Sequence, residues 1–161
     1  VSVHAYIGLG ANLGEAAATV RAAMASLAEL PDTRLLACSP CYRSAPVGYL
    51  DQPDFVNAVA GIATTLPPHA VLDALLAFEQ RFGRERSFRN APRTLDMDLL
   101  LYGDTVLHDA RLTVPHPRMV ERSFVLLPLH DIAPDLRLPD GRTLATLVAA
   151  CDQTGLQRID E

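Results

Sequence analysis

At 161 residues, 49% of them apolar, with nine Gly and twelve Pro, the chain has the size and composition of one globular domain with a full core, residues 1–161, and leaves no room for a second. A formal net charge of −5 and a pI near 5.5 argue against a nucleic-acid surface or an anionic membrane as partner, since both attract basic chains. All 14 basic residues are Arg, which suits bidentate phosphate recognition, although genomic base composition alone would give the same bias.

Residues 1–4 carry no basic segment leading into an apolar run, and no apolar stretch approaches bilayer length, so a cytoplasmic protein is expected. The chain then opens with a strand over residues 3–9 and the glycine-rich stretch Gly8-Leu9-Gly10-Ala11-Asn12-Leu13-Gly14. Its third Gly comes one residue late for a dinucleotide fingerprint, and repeated βα units do not follow, so these glycines read as turn chemistry. Residues 15–30 carry Val20, Met24 and Leu27 at helical spacing and stop at Pro31. A second strand is expected over residues 34–41. It contains Cys38-Ser39-Pro40-Cys41, a CxxC spacing that opens no helix and lacks the two further ligands of a structural zinc site; with Cys151 the only other thiol, it reads as incidental.

Residues 44–54, with two prolines and a glycine, form a loop of functional length. Residues 55–64 resume as a strand with Phe55, Asn57 and Val59 on one face. Pro67-Pro68 then starts a helix over residues 68–82, with Val71, Leu72, Leu75, Leu76 and Phe78 inward and Gly83 closing it. Between Gly83 and Arg93 stand Arg84, Arg86, Arg89 and Arg93, with only Phe88 and Ala91 as apolar anchors. Few buried contacts and mutually repelling guanidinium groups predict a mobile segment that an anion orders.

That segment leads into Leu95-Asp96-Met97-Asp98-Leu99-Leu100-Leu101, in which Leu95, Met97, Leu99 and Leu101 alternate as the buried face of a strand. Asp96 and Asp98 share the other face, with Cα atoms about 6.5–7 Å apart from the rise per strand residue. Asp is depleted in strands and like charges on one face repel, so a cation is expected between them, either Arg93 or a hard ion such as Mg²⁺. A solvated outer face would show the same alternation. Arginines delivered beside paired carboxylates together describe a site for a metal-bound polyphosphate.

Gly103-Asp104 predicts a hairpin turn into residues 105–108. An extended Pro-rich segment over 111–118, a short helix over 121–129, a small hairpin at Asp140-Gly141 and a helix over 143–151 complete the chain. The order β-α-β-β-α-β predicts an α+β protein with a ferredoxin-like antiparallel sheet and helices on one face, plus the C-terminal hairpin and helix.

Four blocks in this order resemble the 6-hydroxymethyl-7,8-dihydropterin pyrophosphokinase family of folate biosynthesis: Tyr42-Arg43-Ser44, Gln52-Pro53-Asp54-Phe55-Val56-Asn57, Ala91-Pro92-Arg93-Thr94-Leu95-Asp96-Met97-Asp98-Leu99-Leu100 and Val114-Pro115-His116. The resemblance implies that pyrophosphate passes from ATP, the co-substrate, to a pterin alcohol. Asp96 and Asp98 would ligate two Mg²⁺ ions. Arg84, Arg93, His116 and Arg122 would bind phosphates, with Arg86, Arg111 and Thr113 nearby and Glu79 on the nucleotide side; Arg84 and Arg93 count with the aspartates as catalytic. Phe55 and Phe124 would sandwich the pterin, whose edge Asn57 and the backbone at Ser44, Ala45 and Val47 would read. Taken singly, Phe55 and Phe124 also fit a core, His116 a loop and Glu79 a helix surface. This chain departs from the family in having Phe55 where many members have Tyr, and Asn90 with no Trp anywhere where many have Trp before the signature. The loop there is also one residue shorter.

A monomer acting on ATP and a pterin is therefore expected. Two other readings stand beside it: a two-Mg²⁺ nucleotidyl or phosphoryl transferase with another acceptor, and a catalytically silent nucleotide-binding ferredoxin-like module. The silent module would not need both aspartates.

Overall fold

The computed structural model describes residues 2–12, 14–44, 54–83 and 95–159. Strand β1 (Val3–Ala11) leads into helix α1 (Ala16–Ser26), which tightens into a 3₁₀ turn at Leu27–Glu29. Then come β2 (Thr33–Cys38), β3 (Cys41–Ser44), β4 (Phe55–Thr64), α2 (Pro68–Gly83) and β5 (Asp96–Tyr102). The C-terminal part holds β6 (Leu107–His108), β7 (Thr113–Val114), a 3₁₀ turn at Met119–Glu121, α3 (Ser123–Ile132), α4 (Leu144–Ala150) and β8 (Leu156–Ile159).

The main sheet runs β5-β1-β4-β3-β8, with β2 also paired to β4, and every pairing is antiparallel. This is the ferredoxin-like order expected from β-α-β-β-α-β, with the Asp strand at one edge. The strand expected over residues 34–41 is two strands, because Ser39-Pro40 interrupts it. Pro40 has no N–H to give a ladder. Ser39 repairs the break: its N–H donates to the Val59 carbonyl at 2.9 Å, and its Oγ accepts the Val59 N–H at 2.9 Å.

One sheet face packs on α1 and α2. Ile7 and Leu9 of β1, Ala60 and Ile62 of β4, and Met97 and Leu99 of β5 meet Val20, Met24 and Leu27 from the first helical segment and Val71, Leu75 and Phe78 from the second. Fully burying each large apolar side chain contributes about 1.5–3 kcal/mol. Leu76, expected inward, is instead 44% exposed, since the buried stripe of α2 passes through Val71, Leu75 and Phe78.

The two helices of the β-α-β-β-α-β unit thus share one face, as expected, while the helices that follow it take the other. Val59, Leu100 and Leu101 on the opposite side of the sheet form a second core with Met119, Val125, Leu126, Leu129 and Leu144, so α3 and α4 make a third layer. A β-bulge permits this. Tyr6 registers with Leu101 but Ile7 with Leu99, so one extra residue enters β5 and reverses its alternation. Leu101, expected to share a face with Leu95, Met97 and Leu99, lies with Leu100 in the second core, and Tyr102 joins the first.

Gly103 takes φ 54° and closes a turn, but the chain does not return along β5 as a hairpin; β6 pairs with β7 instead. The turn at Asp140-Gly141 forms as expected, with a bridge between Arg137 and Thr143. Thr143 caps α4, its hydroxyl accepting the Thr146 N–H at 3.2 Å. Strand β8 was not anticipated. It covers the free edge of β3, pairing Tyr42 with Arg158 and Cys41 with Ile159. None of Cys38, Cys41 and Cys151 is in a disulfide. Among the described residues no helix is long and apolar enough to cross a membrane.

Candidate active site

Asp96 and Asp98 stand exposed on β5 with Met97 buried between them, as the alternation before the bulge requires. Their face is the α3 side of the sheet, where a cleft of about 690 Å³ opens. Ser44 of β3, Phe55 and Asn57 of β4, the two aspartates, His116, Arg122 and Phe124 all line it. Eight residues proposed from sequence thus meet in one cavity, although they come from three strands, the segment leading into α3 and α3 itself.

The floor of the cleft explains the glycines of β1. Gly8 and Gly10 line it, and neither has a positive φ; among the glycines of this stretch only Gly14, at φ 58°, serves as a turn. They are strand residues on the cleft face, in register with Asp98 and Asp96 on one side, and Gly10 with Asn57 on the other. Missing side chains leave backbone as the floor between the carboxylates and the amide. A period-2 Gly-x-Gly inside a strand was the available signal, and turn chemistry was the wrong reading of it.

His116 is fixed by its backbone N–H, which donates to the Leu100 carbonyl at 2.8 Å beside the bulge. Its Nδ1 accepts the Arg118 N–H at 3.2 Å, so the neutral ring carries its proton on Nε2. Burial pushes the imidazole below its ordinary value of 6.5; Asp98 pulls it upward, and Arg122 and Arg118 push it down again. The net direction keeps the ring neutral at pH 7 and a hydrogen-bond donor through Nε2.

Phe55 and Phe124 are both half-buried at the cleft, one on β4 and one on α3. The Arg122 guanidinium carbon lies 5.5 Å from the Phe124 ring centroid, a cation–π contact that braces both groups. Asn57 is buried, and its Nδ2 donates to the Ser44 hydroxyl at 3.1 Å.

Three proposed residues do not line the cleft. Glu79 is buried on α2, where its Oε2 accepts the Met97 N–H at 2.8 Å. Arg111 is ion-paired with Asp73, and Thr113 hydrogen-bonds His108 Nδ1 at 2.9 Å. Ala45, Val47, Arg84, Arg86 and Arg93, and with them the expected ordering of the arginine segment, lie outside the described residues. Arg118 and Glu121 line the cleft and were missed, because only the 3₁₀ turn between Arg118 and Arg122 brings them there.

The family described as 7,8-dihydro-6-hydroxymethylpterin-pyrophosphokinase matches residues 6–134. This chain belongs to that family. A 2-amino-4-hydroxy-6-hydroxymethyldihydropteridine pyrophosphokinase of Pseudomonas aeruginosa is 53% identical over 154 residues, 96% of this chain and 95% of the relative. One of Haemophilus influenzae is 45% identical over 146 residues, 91% of each chain. Among solved structures, the Plasmodium falciparum HPPK-DHPS wild type superposes with a TM-score of 0.72 at 14% identity, which bears on the fold alone. There 92% of this chain is covered, but the chain spans only 44% of that longer protein. The match to the family ends just after α3, so the α4 and β8 additions lie beyond it.

Proposed function

We propose that this chain transfers a pyrophosphoryl group from ATP to the hydroxymethyl oxygen of 6-hydroxymethyl-7,8-dihydropterin, a step of folate biosynthesis. The acceptor oxygen bonds to the β-phosphorus, the bond to the bridging α–β oxygen breaks, and AMP leaves. The observation that carries this reading is the convergence in one cleft of paired aspartates on β5 with two aromatic rings and a buried amide. The first suit a metal–polyphosphate, the second a flat heterocycle with a hydrogen-bonding edge.

The donor set fits Mg²⁺. Asp96 and Asp98 offer hard oxygens from one strand face, and among the described residues no cluster of three or more metal-binding side chains occurs. Mg²⁺ characteristically takes few carboxylates and is completed by water and substrate phosphates. Asp96 and Asp98 would hold two such ions, which when bound supply charge neutralisation for the phosphates and polarise the acceptor hydroxyl.

The chain's own residues supply the rest. Arg122 and the Nε2–H of His116 donate to phosphate oxygens, and Arg84, Arg86 and Arg93 add charge from the segment before β5. Phe55 and Phe124 stack the pterin, and Asn57 reads its edge beside Ser44, with backbone groups at Ala45 and Val47. Glu79 acts from beneath the aspartate strand. Arg111 and Thr113 stand farther out on the nucleotide side. We take residues 1–161 as one catalytic unit working as a cytoplasmic monomer without nucleic-acid or membrane partners, which the net charge of −5 favours. Mass spectrometry of the pterin after incubation with ATP and Mg²⁺ tests the reading: a product carrying two added phosphoryl groups supports it, and one carrying a single group or none refutes it.

A further inference from the structure

We propose that Gly10 is a positioning residue that sets the place of the Asn57 amide, and so governs pterin affinity without touching the nucleotide; this rests on the reading of Asn57 as a pterin contact. Gly10 of β1 registers opposite Asn57 of β4. A Cβ built on Gly10 would come within 2.8 Å of Asn57 Oδ1, closer than such atoms approach in proteins. Its next neighbours, Asn57 Cγ at 3.8 Å and the Val56 carbonyl oxygen at 3.9 Å, are at ordinary contact distance. Among the described residues the amide oxygen is thus the single obstacle to a side chain here. Gly10 is not among the residues with positive φ, so the backbone would accept alanine, the better strand former.

The amide has little room to yield. Asn57 is 6% exposed, and its Nδ2 is tied to Ser44 Oγ at 3.1 Å. Displacing Oδ1 therefore either breaks the Ser44 bond or swings the amide into the cleft. In both cases the acceptor leaves the place from which it reads a heterocycle edge, while the strand beneath it stays intact. Gly10 also registers with Asp96, so an empty position here holds open the lane between the amide and the carboxylate.

Calorimetry on Gly10→Ala, Asn57→Ala and the double variant tests this, together with the Asn57 side-chain amide resonances. Gly10→Ala should weaken pterin binding about five- to tenfold, as expected for one lost hydrogen bond. A non-hydrolysable ATP analogue with Mg²⁺ should keep its affinity, and the Asn57 amide resonances should shift. In the Asn57→Ala background the glycine substitution should add nothing, because its target is gone. Equal losses for both ligands, additive losses in the double variant, or unmoved Asn57 amide resonances would each overturn the positioning role. An unchanged pterin affinity in Asn57→Ala would instead overturn the reading of Asn57 itself.

Discussion

Glu79 on α2 accepts the backbone N–H of Met97, the residue between the two aspartates, at 2.8 Å. Among the described residues β5 is the sheet's edge and no further strand meets this N–H; a buried carboxylate takes it. Glu79→Ala leaves a buried donor unsatisfied and should cost about 1–3 kcal/mol of stability. Glu79→Gln keeps an acceptor and should cost less. Urea denaturation of the two variants checks the order, and equal midpoints would mean that the bond to Met97 does not hold the edge.

Asp96→Asn and Asp98→Asn should each abolish turnover with the fold intact. Removing one of two like charges on a strand face is neutral or slightly stabilising without metal. It also removes a ligand whose charge the phosphates require. Circular dichroism with a turnover assay checks both halves, and activity near the wild-type level in either variant would refute the metal assignment.

Phe55→Ala should weaken pterin binding far more than nucleotide binding. By analogy with bases stacked on aromatic side chains, losing one stacking face costs about 1–3 kcal/mol. Calorimetry with each ligand separates the effects, and equal losses would place Phe55 in the core rather than against the pterin.

Local periodicity made β4 and α2 legible to within a residue, because each repeats one pattern without interruption. It also placed Asp96 and Asp98 correctly, since the bulge lies downstream of them, and failed at Leu101 for the same reason. The break at Ser39-Pro40 was hidden because apolar residues flank it on both sides. Strand β8, Leu-Gln-Arg-Ile, is too short to alternate convincingly and owes its form to the exposed edge of β3. The third layer was missed because an apolar segment does not say which sheet face it will cover. The site was legible where chemistry is unusual for its setting, as with aspartates in a strand. It was illegible where the cleft is lined by the absence of a side chain, at Gly8 and Gly10, or by a turn that brings Arg118 and Glu121 to its rim.

Tyr42 donates its hydroxyl to Asp131 and is pushed up to about 12, by burial first, then by that hydrogen bond and the Asp131 charge, with Arg158 opposing. The folded value lies above the ordinary 10.0, so the contribution of Tyr42 to stability is complete below pH 10 and is lost as pH rises toward 12. Ultraviolet titration should show one phenol ionising last, and Tyr42→Phe should remove it. The variant should also lose about 1 kcal/mol at neutral pH through the missing hydrogen bond. A stability gap between the two proteins that stayed constant through this alkaline window would contradict the assignment.

Phosphorus NMR of the reaction with ATP, Mg²⁺ and 6-hydroxymethyl-7,8-dihydropterin tests the transferred group most directly. The account predicts AMP together with a pterin diphosphate in equal amounts. ADP with a pterin monophosphate would make this an ordinary kinase, and ATP left unconsumed would make the cleft a binding site without chemistry; either result contradicts it.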